Sequence, residues 1–475
     1  MDAATSGTED KTPHRFHRSL SGLGVIILTL SVLSPGVSIF VSGASILQQA
    51  GTGSVIAFLI GAVVCYCQTA LIAELGAAYP TAGYDYAAIG HAMGDWAGAT
   101  TYIATLINMP VFLNLSAIGI AIYLAPFGIP LSATMITFIT IATVTALAML
   151  NIRANEMLTG IFMLIEFAAL LLVAAIGVWH AQPDAAVCVL NPVHLDNGVW
   201  IAASIGIIGI AVNNSSWALA GASQALMFSE DMKRPETIGR IILIAFLLTV
   251  FFEIAPVFGT IVGAHDLKAV LANDAPFETF LGQYLPAFLL KLVSLSIAIA
   301  IFNACLAGFV GLGRTVFSMG RTELFTAPIN HALTRLTRRT DAPWVALLLL
   351  GTSTALATYI PLTAKLLLLS GSTTILTIFY VLGVYIGRRS GRTGARYRTP
   401  LFPLIPLLGV GIVIGEAVVL WLDAETGRKS LFICAGAYLL AFCYYRFVLM
   451  RRPGGWKMRG PDDIDALVAR DVVDA

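Results

Sequence analysis

The sequence predicts an all-α polytopic membrane protein of twelve transmembrane helices, a five-plus-five inverted repeat followed by two extra helices. Three observations predict it. Hydrophobic residues make up 57% of the chain and charged residues 12%, with a mean hydropathy of +0.84; a soluble domain carries about 25% charged residues. No Asp, Glu, Lys or Arg occurs from Ser19 to Ala73 or from Trp96 to Ile152, and each run holds two helices at roughly 20 residues per crossing. Two apolar spans are also interrupted, at Leu33-Ser34-Pro35-Gly36-Val37-Ser38 and at Asn213-Asn214-Ser215-Ser216-Trp217-Ala218-Leu219-Ala220-Gly221. A helix in lipid satisfies its own backbone, so breakers and stacked polar side chains need a compensating reason. Each interruption opens a set of five spans, as an inverted repeat requires.

The elements follow in order. The tail 1–18 is polar, with Lys11, Arg15 and Arg18 before the first span and no apolar stretch ending in a cleavage site. The spans are placed at 20–47, 53–78, 97–125, 131–151, 156–180, 199–228, 238–263, 287–320, 343–360, 366–387, 402–422 and 430–450. The first repeat is 19–180, an outer loop fills 181–198, the second repeat is 199–388, and the extra helices take 389–452. A tail at 453–475 is expected to be loose, like the first. The loop at 264–286 carries a short helix over Ala275–Phe280, and Gly83–Asp95 is expected to lie along the membrane surface. All but five of the 28 Lys and Arg residues fall on the side of the termini. The exceptions are Lys268, Lys291, Lys365, Arg428 and Lys429. The positive-inside rule then places both termini in the cytoplasm and the protein in the plasma (cell inner) membrane.

Several chemistries are excluded as expectations. A net charge of +1 without a basic, aromatic-interleaved tract argues against nucleic acid. The seven histidines are scattered over tails and loops without HExxH spacing, so neither a metal nor a cofactor is expected. There is no GxxxxGK[ST] phosphate loop and no Gly-x-Ser-x-Gly elbow. The six cysteines, Cys65, Cys67, Cys188, Cys305, Cys434 and Cys443, form no CxxC and read as small packing residues.

Four local motifs stand at fixed places between the spans. Ala73-Glu74-Leu75-Gly76-Ala77-Ala78-Tyr79-Pro80-Thr81-Ala82-Gly83 follows span two, and Leu150-Asn151-Ile152-Arg153 follows span four. Ser229-Glu230-Asp231-Met232-Lys233-Arg234-Pro235-Glu236-Thr237-Ile238 follows span six. Gly313-Arg314-Thr315-Val316-Phe317-Ser318-Met319-Gly320-Arg321 closes span eight. In this order they resemble the amino acid–polyamine–organocation superfamily of permeases over residues 20 to 450. The resemblance implies a leucine-transporter-like fold in which backbone at the breaks of spans one and six holds a substrate's α-amino and α-carboxylate groups. It also implies a bulky aromatic at Trp217 that closes over the substrate. Two departures stand out: Ser34-Pro35-Gly36-Val37-Ser38 replaces the usual glycine-rich first break, and Ala222-Ser223-Gln224 follows Gly221 without the acid many members carry. The second departure weighs against a strongly cationic substrate.

The residues themselves support a site at these breaks. Pro35 removes an N–H, Gly36 lets a ligand approach the backbone, and the half-helix beginning near Ser38 offers unpaired amides to a carboxylate. Ser34, Pro35, Gly36, Val37, Ser38, Asn213, Asn214, Trp217 and Gly221 are therefore the substrate candidates, with Trp217 as gate; the bland reading is a proline kink and a packing aromatic. Asn114 and Asn303 are cavity candidates, with interhelical bonding the equal alternative, as for Asn108. Glu166 sits at the centre of span five, where an acid costs about 2.5–3.5 kcal/mol to insert. The resemblance often has a lysine there. Glu166 is the leading ion-coupling candidate, by proton or by cation, or it bonds span one. Glu253 in span seven is the second, placed nearer the outside where an outer lysine can pair with it. Glu416 reads as structural or as an oligomer contact, and Glu74 as part of an inner gate.

These readings converge on a secondary active transporter of an amino acid or related amine, working by alternating access as a proton symporter or exchanger. Its expected partners are a small-molecule substrate, H+ and the lipid bilayer. A sodium-coupled amine carrier and a non-transporting nutrient sensor are the alternatives, and the short tails weigh against the sensor. An intramembrane enzyme lacks a visible nucleophile and base.

Overall fold

The computed structural model describes residues 18–458, except 125–126, 129, 184–188, 197, 274, 395, 423 and 425–426. Most of the first tail, Cys188 and all of the last tail beyond Met458 lie outside the described residues.

Span one is split. Helix α1 (Gly22–Leu33) ends at Ser34, whose backbone turns left-handed at φ 46°; α2 (Pro35–Val37) restarts the helix, a π-helical turn (Ser38–Gly43) widens it, and α3 (Ala44–Ala50) finishes it. Ser34 is at once the C-cap of α1 and the N-cap of α2, with Pro35 in the first helical position. Serine caps and a proline at that position both suit a helix start. The proline thus begins the second half-helix rather than kinking one continuous span.

Helix α4 (Ser54–Ala78) follows, then α5 (Tyr84–Met93), α6 (Asp95–Leu124), α7 (Ala133–Ala148) and α8 (Ile152–Trp179). Side-chain caps set two of these starts: Ser132 Oγ accepts from Met135 N and Asn151 Oδ1 from Ala154 N, which gives the Leu150–Arg153 motif its physical role. Eight of the ten residues of helix α5 are buried, so it is packed among the other helices.

The outer loop holds a hairpin, β1 (Val193–Asp196) paired antiparallel with β2 (Val199–Ala202). Val199, Trp200 and Ile201 favour strand. They belong to this hairpin and not to span six, whose outer helix α9 runs Ile205–Ala218 behind a Ser204 cap. The second half of span six, expected to be the inner one, is a 3-10 helix, Ala222–Asp231. Then come α10 (Ile238–Gly263), two short helices α11 (Leu267–Leu271) and α12 (Pro276–Gly282), and α13 (Ala287–Arg321). Helices α14 (Ala327–Leu333), α15 (Trp344–Leu356), α16 (Leu362–Arg389), α17 (Leu404–Leu422) and α18 (Gly427–Phe447) complete the order.

Among the described residues, nine helical segments are long and apolar enough to cross a membrane. Ala133–Ala148 and Trp344–Tyr359 are shorter apolar helices. Helix α8 packs tightly against α10. A Cβ placed on Gly177 would stand 2.1 Å from the Gly259 carbonyl oxygen, and one on Gly263 would stand 2.4 Å from Gly177 Cα. Small residues four apart permit this backbone approach, and that approach fixes the level at which the two spans meet.

Candidate functional site

The two breaks meet. Ser38 Oγ donates to the Ala218 carbonyl at 3.1 Å, joining the start of one half-helix to the end of the other. The second break is narrower than the polar run suggested. Asn213 through Ala218 stay helical, and the chain turns only over Leu219–Gly221, where Gly221 has φ 124°. A side chain there would be strained whatever its size, and its first atom would stand 3.2 Å from Leu33 Cγ.

Glu166 fills the first break. Its Oε1 accepts from Gly36 N at 2.7 Å and from Ser34 Oγ at 3.0 Å. Val37 N donates to Ser34 Oγ, Ser38 N to the Ser34 carbonyl, and Pro35 has no N–H. The amides expected to await a substrate carboxylate are therefore capped from within, and Gly36 is needed because a Cβ would stand 2.8 Å from Glu166 Cγ. Helix N-termini attract anions, and here the anion is the protein's own. Ser34 keeps a strained backbone that costs about 1–3 kcal/mol, held by these bonds.

Glu253 does not sit where the sequence placed it. It is fully buried, and no lysine pairs with it among the described residues. Ser38 and Glu166 are the polar groups facing it. Phe167 stacks on Phe252 with ring centroids 3.7 Å apart. These are the chain neighbours of Glu166 and Glu253, so the two acids stand at one level of adjacent spans. Glu166 Oε2 and both amide atoms of fully buried Asn303 are without partners among the described residues.

The remaining candidates divide. Asn214 Nδ2 donates to Gln49 Oε1 at 3.3 Å, which ties α9 to α3. Asn213 and Trp217 lie one turn apart on an exposed face of α9, and Trp217 is 52% exposed. The opposite face is anchored by Ser215 Oγ on the Ala57 carbonyl. Asn114 lies elsewhere: it accepts from Lys365 Nζ at 2.5 Å and donates to the Thr354 carbonyl and Thr358 Oγ1. Its amide is saturated as a tie between spans, a correction to its cavity role. Asn108 bonds Ser372, and Glu416 bonds Gln68 at 3.3 Å.

Sequence reasoning missed how the motifs combine. On the basic face, Arg321 grips Glu230 through two bonds of 2.7 and 2.5 Å, Glu230 also accepts from Ala82 N, and Arg314 bonds Asp231 at 2.7 Å. Three of the four motifs are thus parts of one latch. Leu20 N donates to the Asp231 carbonyl and Lys233 N to the Leu20 carbonyl, which fastens the start of span one to the same place. Tyr84 Oη and Ser223 Oγ are 2.9 Å apart, and Tyr86 Oη bonds Ser318. Glu74 is held by Arg388 at 2.7 and 2.6 Å and by Thr399 N. The basic face is shut. The acid–arginine spacing across spans six and eight was the available signal.

The chain resembles known proteins over most of its length. The family described as amino acid permease matches residues 20–442. The branched-chain amino acid permease BcaP of Lactococcus lactis subsp. cremoris is 25% identical over 434 residues, 86% of this chain and 89% of that protein. The amino-acid permease RocC of Bacillus subtilis is 23% identical over 446 residues, covering 88% and 92%. An uncharacterized transporter of Mycobacterium tuberculosis is 25% identical over 314 residues, 65% and 67%.

Proposed function

The chain belongs to the amino acid permease family, and from that premise we propose that it moves an amino acid or a close amine derivative across the plasma membrane as a secondary active transporter. Twelve spans in two inverted halves carry it, with both termini in the cytoplasm. The observation that carries the site is the meeting of the two breaks through Ser38 and the Ala218 carbonyl. Substrate binds beside this junction. Asn213 and Trp217 line its approach, because an asparagine facing lipid at that depth is costly whereas one facing water is not. Spans one, two, six and seven rock against three, four, eight and nine, and the latch on the basic face opens as Trp217 closes the other side.

We read the coupling ion as a proton. Glu166 as a carboxylate holds Gly36 N–H and keeps the first break capped. Protonated, it loses the charge that favours that seat, and the amide and the left-handed turn at Ser34 are released to substrate and to movement. Glu253, facing Glu166, makes two negative charges at one level unfavourable. A branched-chain substrate fits the absence of an acid after Gly221, and BcaP is named for such substrates.

Uptake into proteoliposomes from a panel of amino acids and amines, under separate proton and sodium gradients, tests this. Concentration of a neutral amino acid driven by protons alone is the expected result. Accumulation that follows sodium and ignores pH would turn the acid pair into a cation site. No accumulation of any amino acid would overturn the assignment.

A further inference from the structure

The C-terminal segment was expected to be loose from residue 453, yet it is docked as far as Met458. Trp456 is 4% exposed and its indole N–H donates to the Thr322 carbonyl at 2.7 Å. Arg452 donates to the carbonyls of Glu323 and Phe325, the second at 2.7 Å. Tyr444 Oη bonds the Leu324 carbonyl, and Tyr445 packs edge-on against Trp456. At the far end Met458 N donates to Asp95 Oδ1 at 3.1 Å. The Met458 side chain lies over two facing glycines: its Cε would be 2.3 Å from a Cβ on Gly90, and its Sδ 3.1 Å from one on Gly98.

These contacts share a destination. Thr322–Phe325 follow the end of α13, whose Arg321 and Ser318 are part of the latch. Gly90 is in α5, whose Tyr84 and Tyr86 bond Ser223 and Ser318. Asp95 and Gly98 begin α6. Residues 452–458 therefore bind together α5 and α13, which carry bonds to the inner half of span six, and the start of α6, which packs against both. An apolar tail would gain little by covering Gly90 and Gly98 unless their packing mattered. The backbone carbonyls of Thr322 and Glu323, just after α13, accept from Trp456 and Arg452 of the tail, while that of Phe325 accepts from Arg452 and Asn330.

We infer that Arg452–Met458 is a strap that holds the basic face shut, so that its release favours the state open to that side. The strap holds α5 against α6 and α13, and α5 is the stop against which Ser223 rests. The inference rests on alternating access.

The test uses a cysteine-free full-length background with a reporter at Ala222, a fully buried position just after the second break. Inside-out vesicles are treated with a membrane-impermeant maleimide. Removal of residues 452–475, Trp456→Ala and Met458→Ala are each expected to raise the Ala222→Cys labelling rate about fivefold or more. Trp456→Phe, which keeps the ring and loses the N–H, is expected between them and the intact chain. A second reporter, Ala307→Cys in the core of α13, should stay unlabelled throughout. Should the truncated chain fail to reach the membrane, the point variants decide. Unchanged labelling at Ala222→Cys in Met458→Ala and Trp456→Phe overturns the strap. So does a parallel rise at Ala307→Cys, which would make the segment a staple of the fold. An intact chain that exchanges L-leucine but never labels at Ala222→Cys would overturn alternating access itself.

Discussion

Two buried regions of this molecule treat charge in opposite ways. On the basic face, among the described residues, buried Arg321 meets Glu230, buried Arg314 meets Asp231, and half-buried Arg388 meets buried Glu74. Beside the first break, no cation pairs with the two buried acids among the described residues: Glu166 bonds Gly36 and Ser34 through one oxygen only, and Glu253 faces Ser38 and Glu166; on α13, buried Asn303 has no protein partner for its amide. A paired charge sits in a well that can be left and re-entered, which suits a gate. A buried acid without a cation beside it can exchange a proton, a cation or a substrate contact, and suits a centre whose occupant changes through a cycle.

The largest effect is expected from repairing the first break. Pro35→Leu with Gly36→Leu drives side chains into Glu166 and restores a continuous helix. Overpacking costs about 1–3 kcal/mol, and the geometry of Ser34 is lost as well. Uptake should vanish while the protein still reaches the membrane, as surface labelling can show; normal uptake would remove the breaks from the mechanism.

Next in size is the latch. Arg321→Ala leaves Glu230 buried and unpaired, a change worth about 3–5 kcal/mol. Thermal unfolding in detergent should show the loss, and Arg321→Ala with Glu230→Ala should recover part of it. If the double variant is no better than the single, the pair is not the unit described here.

Asn303 sharpens the contrast from the other side. Replacing a buried, unbonded polar group with an apolar one is close to neutral or stabilising. Asn303→Leu should therefore melt no lower than the parent yet transport less. Lower melting would mean that the amide is already satisfied and belongs to the scaffold.

The smallest effect concerns the one buried acid of the basic face without a cation. Burial pushes Asp85 up to about 7, against hydrogen bonds from Tyr380 and Tyr84 that lower it. The folded protein thus keeps a proton that the unfolded chain has released. Stability falls as pH rises from the ordinary aspartate range to about 7, and is level above it. Asp85→Asn should flatten that slope; a melting curve that keeps the parent's slope would assign it to other groups.

Much of the fold was legible because lipid imposes simple rules. Uncharged runs marked the early spans and Pro35-Gly36 marked a break inside one of them, although the half-helix expected to begin near Ser38 begins at Pro35. Less visible features depended on three-dimensional partners. Val199–Ile201 read as the start of a span, since a short apolar run looks alike in strand and helix. Asn213–Ser216 looked like the break itself, yet helices tolerate such residues when Ser215 and Asn214 find partners on Ala57 and Gln49. Glu166 was singled out by depth alone; that it caps Gly36 needed the packing of spans one and five. The latch was present as three separate motifs, and only their contacts explain them. Trp456 and Met458 lay in text that composition marks as a tail.

Glu166 on the Gly36 amide is the centre of this account, and one measurement addresses it most directly: the pH dependence of amino acid uptake in proteoliposomes, parent against Glu166→Gln. The glutamine keeps an oxygen for Gly36 N–H but cannot exchange a proton. The account predicts that exchange of substrate persists while uptake becomes independent of pH and of a proton gradient. Uptake by Glu166→Gln that still rises with an imposed proton gradient, as in the parent, would contradict it.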